Sequence, residues 1–136
     1  SDLSYTKQKL QAGADFLITQ LFYDNRYFFN FLEMSRKVGI DVPILAGILP
    51  ILSTTQIRRF TALCGATIPL ALDRQLEKFV DDDDAVRELG IEYATTQVKE
   101  LWDNGVDGVH FYALNRSHSI SKILENLDFL NASRAA

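Results

Sequence analysis

Three short apolar stretches divide the chain, and each is followed by a segment whose apolar residues have helical spacing. They lie at residues 16–20, 43–50 and 108–116. Strands that alternate with helices in this way predict an α/β fold with a parallel sheet. Parallel sheets of this kind carry their chemistry at the carboxyl ends of the strands. Gln20, the loop after Pro50 and Arg116 are therefore the first candidates for a functional site.

Capping residues and terminating glycines define the segments between these strands. A side-chain oxygen just before an apolar-periodic segment can cap a helix, and a glycine can end one. The predicted helices run from Asp24 or Asn25 to Gly39, from Ser53 or Thr54 to Gly65, within residues 68–80, from residues 81–84 to Gly105, and after Arg116. Residues 3–12, before Gly13, predict the end of one more helix, so we expect the chain to begin in the middle of its fold.

Four consecutive aspartates, residues 81–84, allow two interpretations. A calcium loop would need a glycine and a distal glutamate that this spacing lacks. Acidic residues at a helix start are stabilised by the helix dipole and by capping. We therefore favour a helix N-terminus over a metal site, and we assign no metal ligands.

The amino-acid composition and net charge indicate which class of protein this chain belongs to. The chain has 136 residues, of which 47% are hydrophobic and 24% are charged, and its net charge is −4. This is typical of one globular domain with a real core, and the acidic balance argues against general nucleic-acid binding. No apolar stretch approaches the roughly 18 residues of a membrane span. Cys64 is the single cysteine and allows no internal disulfide, so these features together predict a cytoplasmic protein.

Three strand-helix units are too few for a complete (βα)8 TIM barrel, which takes about 250 residues. The sequence predicts about half of one, consisting of its last three or so βα units with a preceding helix end. The missing N-terminal half of the barrel would lie before Ser1. Such a fragment has open sheet edges and exposed apolar faces, which favour self-association. We therefore expect a homo-oligomer or an aggregating chain rather than a well-behaved monomer.

Several segments resemble one enzyme family, in the same order along the chain. They are AGADFLITQLFYD (residues 12–24), VPILAGILP (42–50), the aspartate-rich stretch with GIEYA (90–94), and HFYALNR (110–116). Together they resemble the last strands of the methylenetetrahydrofolate reductases. Because the resemblance covers almost the whole chain, it implies that residues 1–136 form the C-terminal half of the catalytic barrel of that family.

The resemblance implies a flavin-dependent oxidoreductase of one-carbon metabolism. In this family a hydride passes from NADH or NADPH to FAD, and then to 5,10-methylenetetrahydrofolate, which yields 5-methyltetrahydrofolate. The cofactor supplies the chemistry, and the protein orients both substrates on one flavin face. The family's general acid and most of its FAD phosphate loops belong to the N-terminal half, so we expect this chain alone to be inactive. The alternative is a noncatalytic half barrel that folds or dimerises without flavin.

Two matching positions, and a glutamine beside one of them, are candidates for contacts with the substrates. Gln20 matches a glutamine that hydrogen-bonds the pterin ring, which makes it the candidate catalytic residue; otherwise it would satisfy a neighbouring loop. Phe60 matches an aromatic residue that stacks on whichever substrate is bound. Gln56 lies four residues earlier on the same helix face. From spacing alone, Phe60 would be a core residue and Gln56 a solvated one.

Four further matching positions lie nearer the ends of the chain. Arg116 closes the LNR motif, and its guanidinium suits a carboxylate such as the folate glutamate tail; otherwise it would form a surface salt bridge. Leu114 would be an apolar contact for the nicotinamide cofactor. Lys9 matches a lysine that helps to hold the FAD phosphates, and Tyr5 stands at a flavin-contacting position where some family members have Asn.

Overall fold

The computed structural model describes the backbone of residues 15–112 and 117–135 and, within the second range, the side chains of residues 118–127. In chain order its elements are β1 (Leu17–Ile18), α1 (Asn25–Lys37), β2 (Ile44–Ile48), α2 (Thr54–Cys64), α3 (Leu70–Lys78), α4 (Asp83–Asp103), β3 (Val109–Phe111) and α5 (Ser117–Ala135). The three strands and the helices predicted after Gln20 are therefore confirmed. The helix end predicted before Gly13 lies outside the described residues.

The strands form one parallel sheet in the order β1-β2-β3. Leu17 pairs with Ile44, and Ala46 pairs with Val109. Each connection between neighbouring strands contains at least one helix, as parallel pairing requires. The α/β class with a parallel sheet is confirmed, whereas closure into a TIM barrel stays a prediction.

One face of the sheet is buried under helices. Ile44, Ala46 and Ile48 alternate along β2 and pack into a cluster with Phe28 of α1 and Leu101 of α4. All five side chains are at most 1% exposed. Burying a large apolar side chain of this kind stabilises a fold by about 1.5–3 kcal/mol, so this cluster holds the helices against the sheet.

A second cluster lies beyond the carboxyl end of β2. Leu49 and Ile51 pack there with Ile57 of α2, Leu72 of α3 and Val86 of α4. Each of these side chains is at most 4% exposed. This second cluster fixes the loop after β2 and the start of α2, which is the end of the sheet where a parallel fold carries its chemistry.

The opposite side of the sheet is open near β1. Ile18 is 39% exposed, and Phe16, just before the strand, is 51% exposed. Ile18 pairs with Leu45 of β2, and alternate residues of a strand face opposite sides, so this is the side away from α1 and α4. In a closed barrel it would point inward, where a further half barrel would cover it.

Side-chain oxygens cap three helices. The capping residues are Asp24 for α1, Ser53 for α2 and Asp82 for α4. Each accepts a hydrogen bond of 3.0–3.1 Å from a backbone N–H in the first turn. Of the two predicted alternatives at each start, Asp24 caps rather than Asn25, and Ser53 rather than Thr54. The interpretation of residues 81–84 as a helix start is also confirmed.

The two longest described helices pack against each other. α4 has 21 residues and α5 has 19. Ile123 and Leu127 of α5 are buried in the same cluster as Val98 and Leu101 of α4. In the part of the chain that the structure describes, no helix combines the length and the apolar composition needed to cross a membrane.

Candidate active site

A depression of about 570 Å³ lies at the carboxyl end of β1. Its walls are residues 20–24 with the first turn of α1 on one side, and Cys64 with residues 65–67 on the other. Gln20 lines the depression and is exposed. The structure thus places this glutamine beside an open cleft at the strand end, where the pattern of strands predicts functional residues.

The side-chain amide of Gln20 is oriented by the end of α2. Its Nε2 donates a hydrogen bond to the Cys64 carbonyl at 2.5 Å. Carbonyls in the last turn of a helix have no partner within the helix, so this bond satisfies one of them. Among the described residues nothing donates to Oε1 of Gln20, and nothing accepts its second N–H.

Thr19 holds the end of β1 against its neighbour. Its Oγ1 accepts a hydrogen bond of 3.0 Å from the Gly47 N–H, and its carbonyl accepts one of 2.8 Å from the Tyr112 hydroxyl. Because Tyr112 follows β3, its side chain crosses β2 to reach β1. Burial raises the pKa of the Tyr112 phenol, with a further contribution from Cys64, so the hydroxyl is a protonated donor at neutral pH.

Gly47 provides the space for this crossing. A Cβ atom at residue 47 would overlap with the Thr19 carbonyl and lie 2.8 Å from Cε2 of Tyr112. The His110 ring packs edge-on against Tyr112 at a centroid distance of 4.9 Å. Tyr112 could not be singled out from the sequence, because spacing along a strand does not show which ring reaches across a neighbouring strand.

An ion pair lies at the rim of the depression. Nη2 of Arg26 is 2.7 Å from Oδ2 of Asp24. Hydrogen bonding from Arg26 lowers the pKa of the Asp24 carboxyl, which is therefore ionised at neutral pH. Because this ion pair is exposed, solvent screens it and it contributes little to the stability of the fold. Its main effect is that the two opposite charges at the rim balance each other.

Gln56 and Phe60 lie on α2, and neither is among the described residues that line the depression beside Gln20. Oε1 of Gln56 accepts a hydrogen bond of 3.1 Å from the Leu52 N–H. Its Nε2 is buried and has no hydrogen-bond partner among the described residues. Phe60 is half-buried and packs against the second cluster, as its helical spacing predicts, yet part of its ring remains accessible.

Four candidate residues lie outside the described part of the chain. These are Tyr5, Lys9, Leu114 and Arg116. Their proposed contacts with the cofactor and substrates therefore stay predictions. Within the described ranges, no group of three or more His, Cys, Asp or Glu side chains is arranged to hold a metal ion.

Comparison with known proteins decides the family. The sequence profile described as methylenetetrahydrofolate reductase matches residues 1–128. The chain belongs to this family. It is 40% identical over 134 residues to methylenetetrahydrofolate reductase (NADH) 1 of Arabidopsis thaliana, covering 98% of this chain and 23% of that protein. It is 34% identical to the 5,10-methylenetetrahydrofolate reductase of Escherichia coli, covering 93% of this chain and 43% of that protein.

A solved structure supports the fold. An uncharacterised protein from Clostridium thermocellum, which binds two copies of 5-methyl-5,6,7,8-tetrahydrofolic acid, aligns with a TM-score of 0.63 at 19% identity. The alignment covers 92% of this chain and 46% of that one. The chain therefore spans less than half the length of each of these three proteins. At this identity the likeness shows a shared α/β fold and not a shared ligand.

Proposed function

We propose that this chain supplies the C-terminal half of a flavin-dependent TIM barrel that reduces 5,10-methylenetetrahydrofolate to 5-methyltetrahydrofolate. The observation that supports this best is the oriented Gln20 amide beside an open depression, in a chain of the methylenetetrahydrofolate reductase family. The Arabidopsis and E. coli relatives are named as reductases of this substrate, and the C. thermocellum protein binds a reduced folate.

Gln20 recognises the pterin ring in this proposal. The edge of a pterin presents alternating hydrogen-bond donors and acceptors, and a side-chain amide matches such an edge. Since Cys64 takes one N–H of Gln20, Oε1 and the second N–H face the ligand with a defined polarity. The ligand therefore meets an amide whose orientation is already set, which reduces the entropy lost on binding.

Gln56 and Phe60 supply a second set of contacts from α2. The buried Nε2 of Gln56 lacks a described acceptor, and a buried donor without a partner is costly. In the complete barrel, a polar group of the folate that displaces the atoms now covering Nε2 would satisfy it. The accessible part of the Phe60 ring would stack on the folate aminobenzoyl group or on the nicotinamide cofactor. Arg116 would bind the glutamate tail, and Leu114 would contact the nicotinamide cofactor.

FAD is the cofactor of this proposal, and it would carry the hydride between the two substrates. The chemistry of two residues in this chain suits FAD. The positive charge of Lys9 suits an FAD phosphate, and the aromatic ring of Tyr5 suits the flavin ring. The reductant is NADH or NADPH, since the relatives' names include both. In this scheme the N-terminal half of the barrel is the required partner, and the whole acts in the cytoplasm as a homo-oligomer.

Binding of 5-methyltetrahydrofolate to the complete barrel protein tests the role of Gln20. We expect Gln20→Ala to weaken the Kd about tenfold or more, the cost of about one or two hydrogen bonds. Gln75→Ala is the matched control, because Gln75 is an exposed glutamine on α3. If both variants bind 5-methyltetrahydrofolate as tightly as the unchanged protein, Gln20 does not contact this ligand.

A flavin-fluorescence titration of this chain distinguishes the proposal from a noncatalytic half barrel. The chain is titrated with FAD alone and after addition of a separately produced N-terminal half. We expect flavin binding and reductase activity only with both halves present. An ordered chain that ignores FAD in both conditions would favour the half barrel without enzymatic function.

A further inference from the structure

Polar side chains of α4 hold the connection between β1 and α1. Gln97, which is 6% exposed, donates through Nε2 to the Phe22 carbonyl at 3.2 Å and to Oδ1 of Asn25 at 3.1 Å. Asn25, which is 9% exposed, donates through Nδ2 to the Gln97 carbonyl at 3.1 Å and to Oε1 of Glu100 at 2.9 Å. The two residues therefore bind each other in both directions, across 72 positions of sequence.

This amide pair restricts the connection to one arrangement. Hydrogen bonds are directional, and a buried amide that loses its partner cannot turn to water instead. Moving Phe22 or Asn25 relative to α4 would break several of these bonds together, because Gln97 serves both residues. Such a network favours a single backbone position more sharply than apolar contacts do.

Tyr93 adds a second attachment one turn earlier on α4. Its hydroxyl donates a hydrogen bond to the Tyr23 carbonyl. The hydroxyl of Tyr23 in turn donates to the Leu49 carbonyl at 3.0 Å, beyond the end of β2. The connection is thus attached to α4 on one side and to the neighbouring strand end on the other.

The bonds that hold β1 end at Thr19, the residue before Gln20. β1 pairs with β2 over two residues; outside that pairing the Leu17 N–H donates to the Pro43 carbonyl, the Thr19 N–H to the Leu45 carbonyl, and the Gly47 N–H to the Thr19 hydroxyl. Gln20 follows the last of these bonds and precedes Phe22 by two residues. Displacement of a substrate-positioning group by about 1 Å can cost a hundredfold in rate, so the attachment that follows Gln20 bears directly on function.

We propose that Gln97 is a positioning residue for Gln20, acting through the Phe22 carbonyl and Asn25. This inference rests on the proposed function, in which Gln20 binds the folate. Gln97 touches no substrate; it fixes the backbone from which the Gln20 amide projects into the depression. Its effect should therefore be confined to the substrate that Gln20 recognises.

Gln97→Met in the complete barrel protein tests this proposal, because methionine keeps the length of the side chain and removes the amide. We expect the KM for the folate to rise about tenfold while the KM for the nicotinamide cofactor stays within twofold. Val98→Ala is the control, since Val98 is the adjacent α4 residue, is 5% exposed and packs in the helix-covered cluster. It should lower the Tm without separating the two KM values. Equal changes in both KM values for Gln97→Met would overturn the proposal.

A double-mutant cycle shows whether Gln97 acts through Gln20. In a Gln20→Ala background, Gln97→Met should change the folate KM by less than about twofold, because the amide that it positions is gone. Full additivity of the two substitutions would overturn the proposal.

Hydrogen exchange separates failure of this inference from failure of the proposed function. Gln97→Met should speed exchange of the amides in residues 20–25 at least tenfold and leave those of β2 unchanged. Unchanged exchange at residues 20–25 would overturn the attachment itself. If the protein without substitutions neither binds nor reduces folate, the proposed function is wrong. The role of Gln97 in that reaction is then wrong as well.

Discussion

The ring of Tyr112 lies so close to Gly47 that a single added carbon atom at residue 47 would be 2.8 Å from Cε2 of the ring. This contact lets one side chain connect all three strands, since Tyr112 follows β3, Gly47 lies in β2, and the hydroxyl bonds to Thr19 beyond β1. The strand end that carries Gln20 is therefore braced from the far side of the sheet.

Gly47→Ala should lower the free energy of unfolding by about 1–3 kcal/mol, because the new methyl group meets the Thr19 backbone as well as the Tyr112 ring. Denaturant unfolding measures the loss. Gly108→Ala is the matched control, since its Cβ would meet only the flexible end of the Leu45 side chain. A loss at Gly47 no larger than that at Gly108 would contradict the brace.

Gln56→Met should separate stability from ligand affinity. The substitution loses the bond to the Leu52 N–H but also removes a buried donor that has no described partner, so we expect the ligand-free stability to change by less than about 1 kcal/mol. The affinity for 5-methyltetrahydrofolate should nevertheless fall about tenfold. Gln75→Met, on the exposed surface of α3, should change neither quantity. A large stability loss with unchanged affinity would assign Gln56 to the fold alone.

The free energy of unfolding should fall at high pH because two tyrosines, Tyr93 and Tyr112, lose their protons. Burial raises the pKa of Tyr93, as do the charges of Asp24 and Glu100, and burial also raises that of Tyr112. A raised pKa in the folded state means that the unfolded chain loses these protons first. The contribution is therefore complete below the ordinary value of 10.0 and is lost as pH rises through the folded-state values.

Unfolding between about pH 8 and pH 11 measures this loss. The double variant Tyr93→Phe/Tyr112→Phe should be less stable at pH 8, because it lacks both hydroxyl donors, and its stability should depend less on pH above 10. An identical slope for the variant and the unchanged chain would show that other groups cause the decline.

The isolated chain should associate through the open side of its sheet. Ile18 and Phe16 present apolar surface beside an edge strand, and such surfaces promote pairing between chains. Light scattering at micromolar concentration should show oligomers, and Phe16→Thr/Ile18→Thr should reduce their average mass. Leu63→Thr is the control, because Leu63 is 73% exposed and belongs to α2 and not to the sheet. A sharp monomeric peak for the unchanged chain would contradict the expectation.

The strands, helix starts and helix ends were predictable because they depend on local chemistry. A side-chain oxygen such as that of Ser53 identifies a cap from a few neighbouring residues, and Gly65 ends α2 in the left-handed conformation. Periodicity was less informative about the degree of burial. On α2, Ile57 is fully buried, while Phe60, three residues later on the same side of the helix, is only half-buried. The rotation of a helix about its axis is set by its tertiary partners.

The attachment of the candidate site to its surroundings could not be predicted. Gln97 lies between Thr96 and Val98 of α4 and shows no sequence signal of its partner Asn25, because the two meet only when α4 packs beside α1. The same holds for Tyr112 and Thr19, which come from different strands. The place of Gln20 just after β1 was predictable from sequence, since it is a local property; its role in binding stays a prediction.

Because β1 is short, ligand binding should change how often this strand opens. A strand paired over two residues opens at little cost, so the amides around Leu17 should exchange with solvent long before those of β2. A ligand held by Gln20 would bind only the closed arrangement and so shift this local equilibrium. Ligand binding and the ordering of β1 would then be coupled, so a bound ligand would slow exchange of the β1 amides.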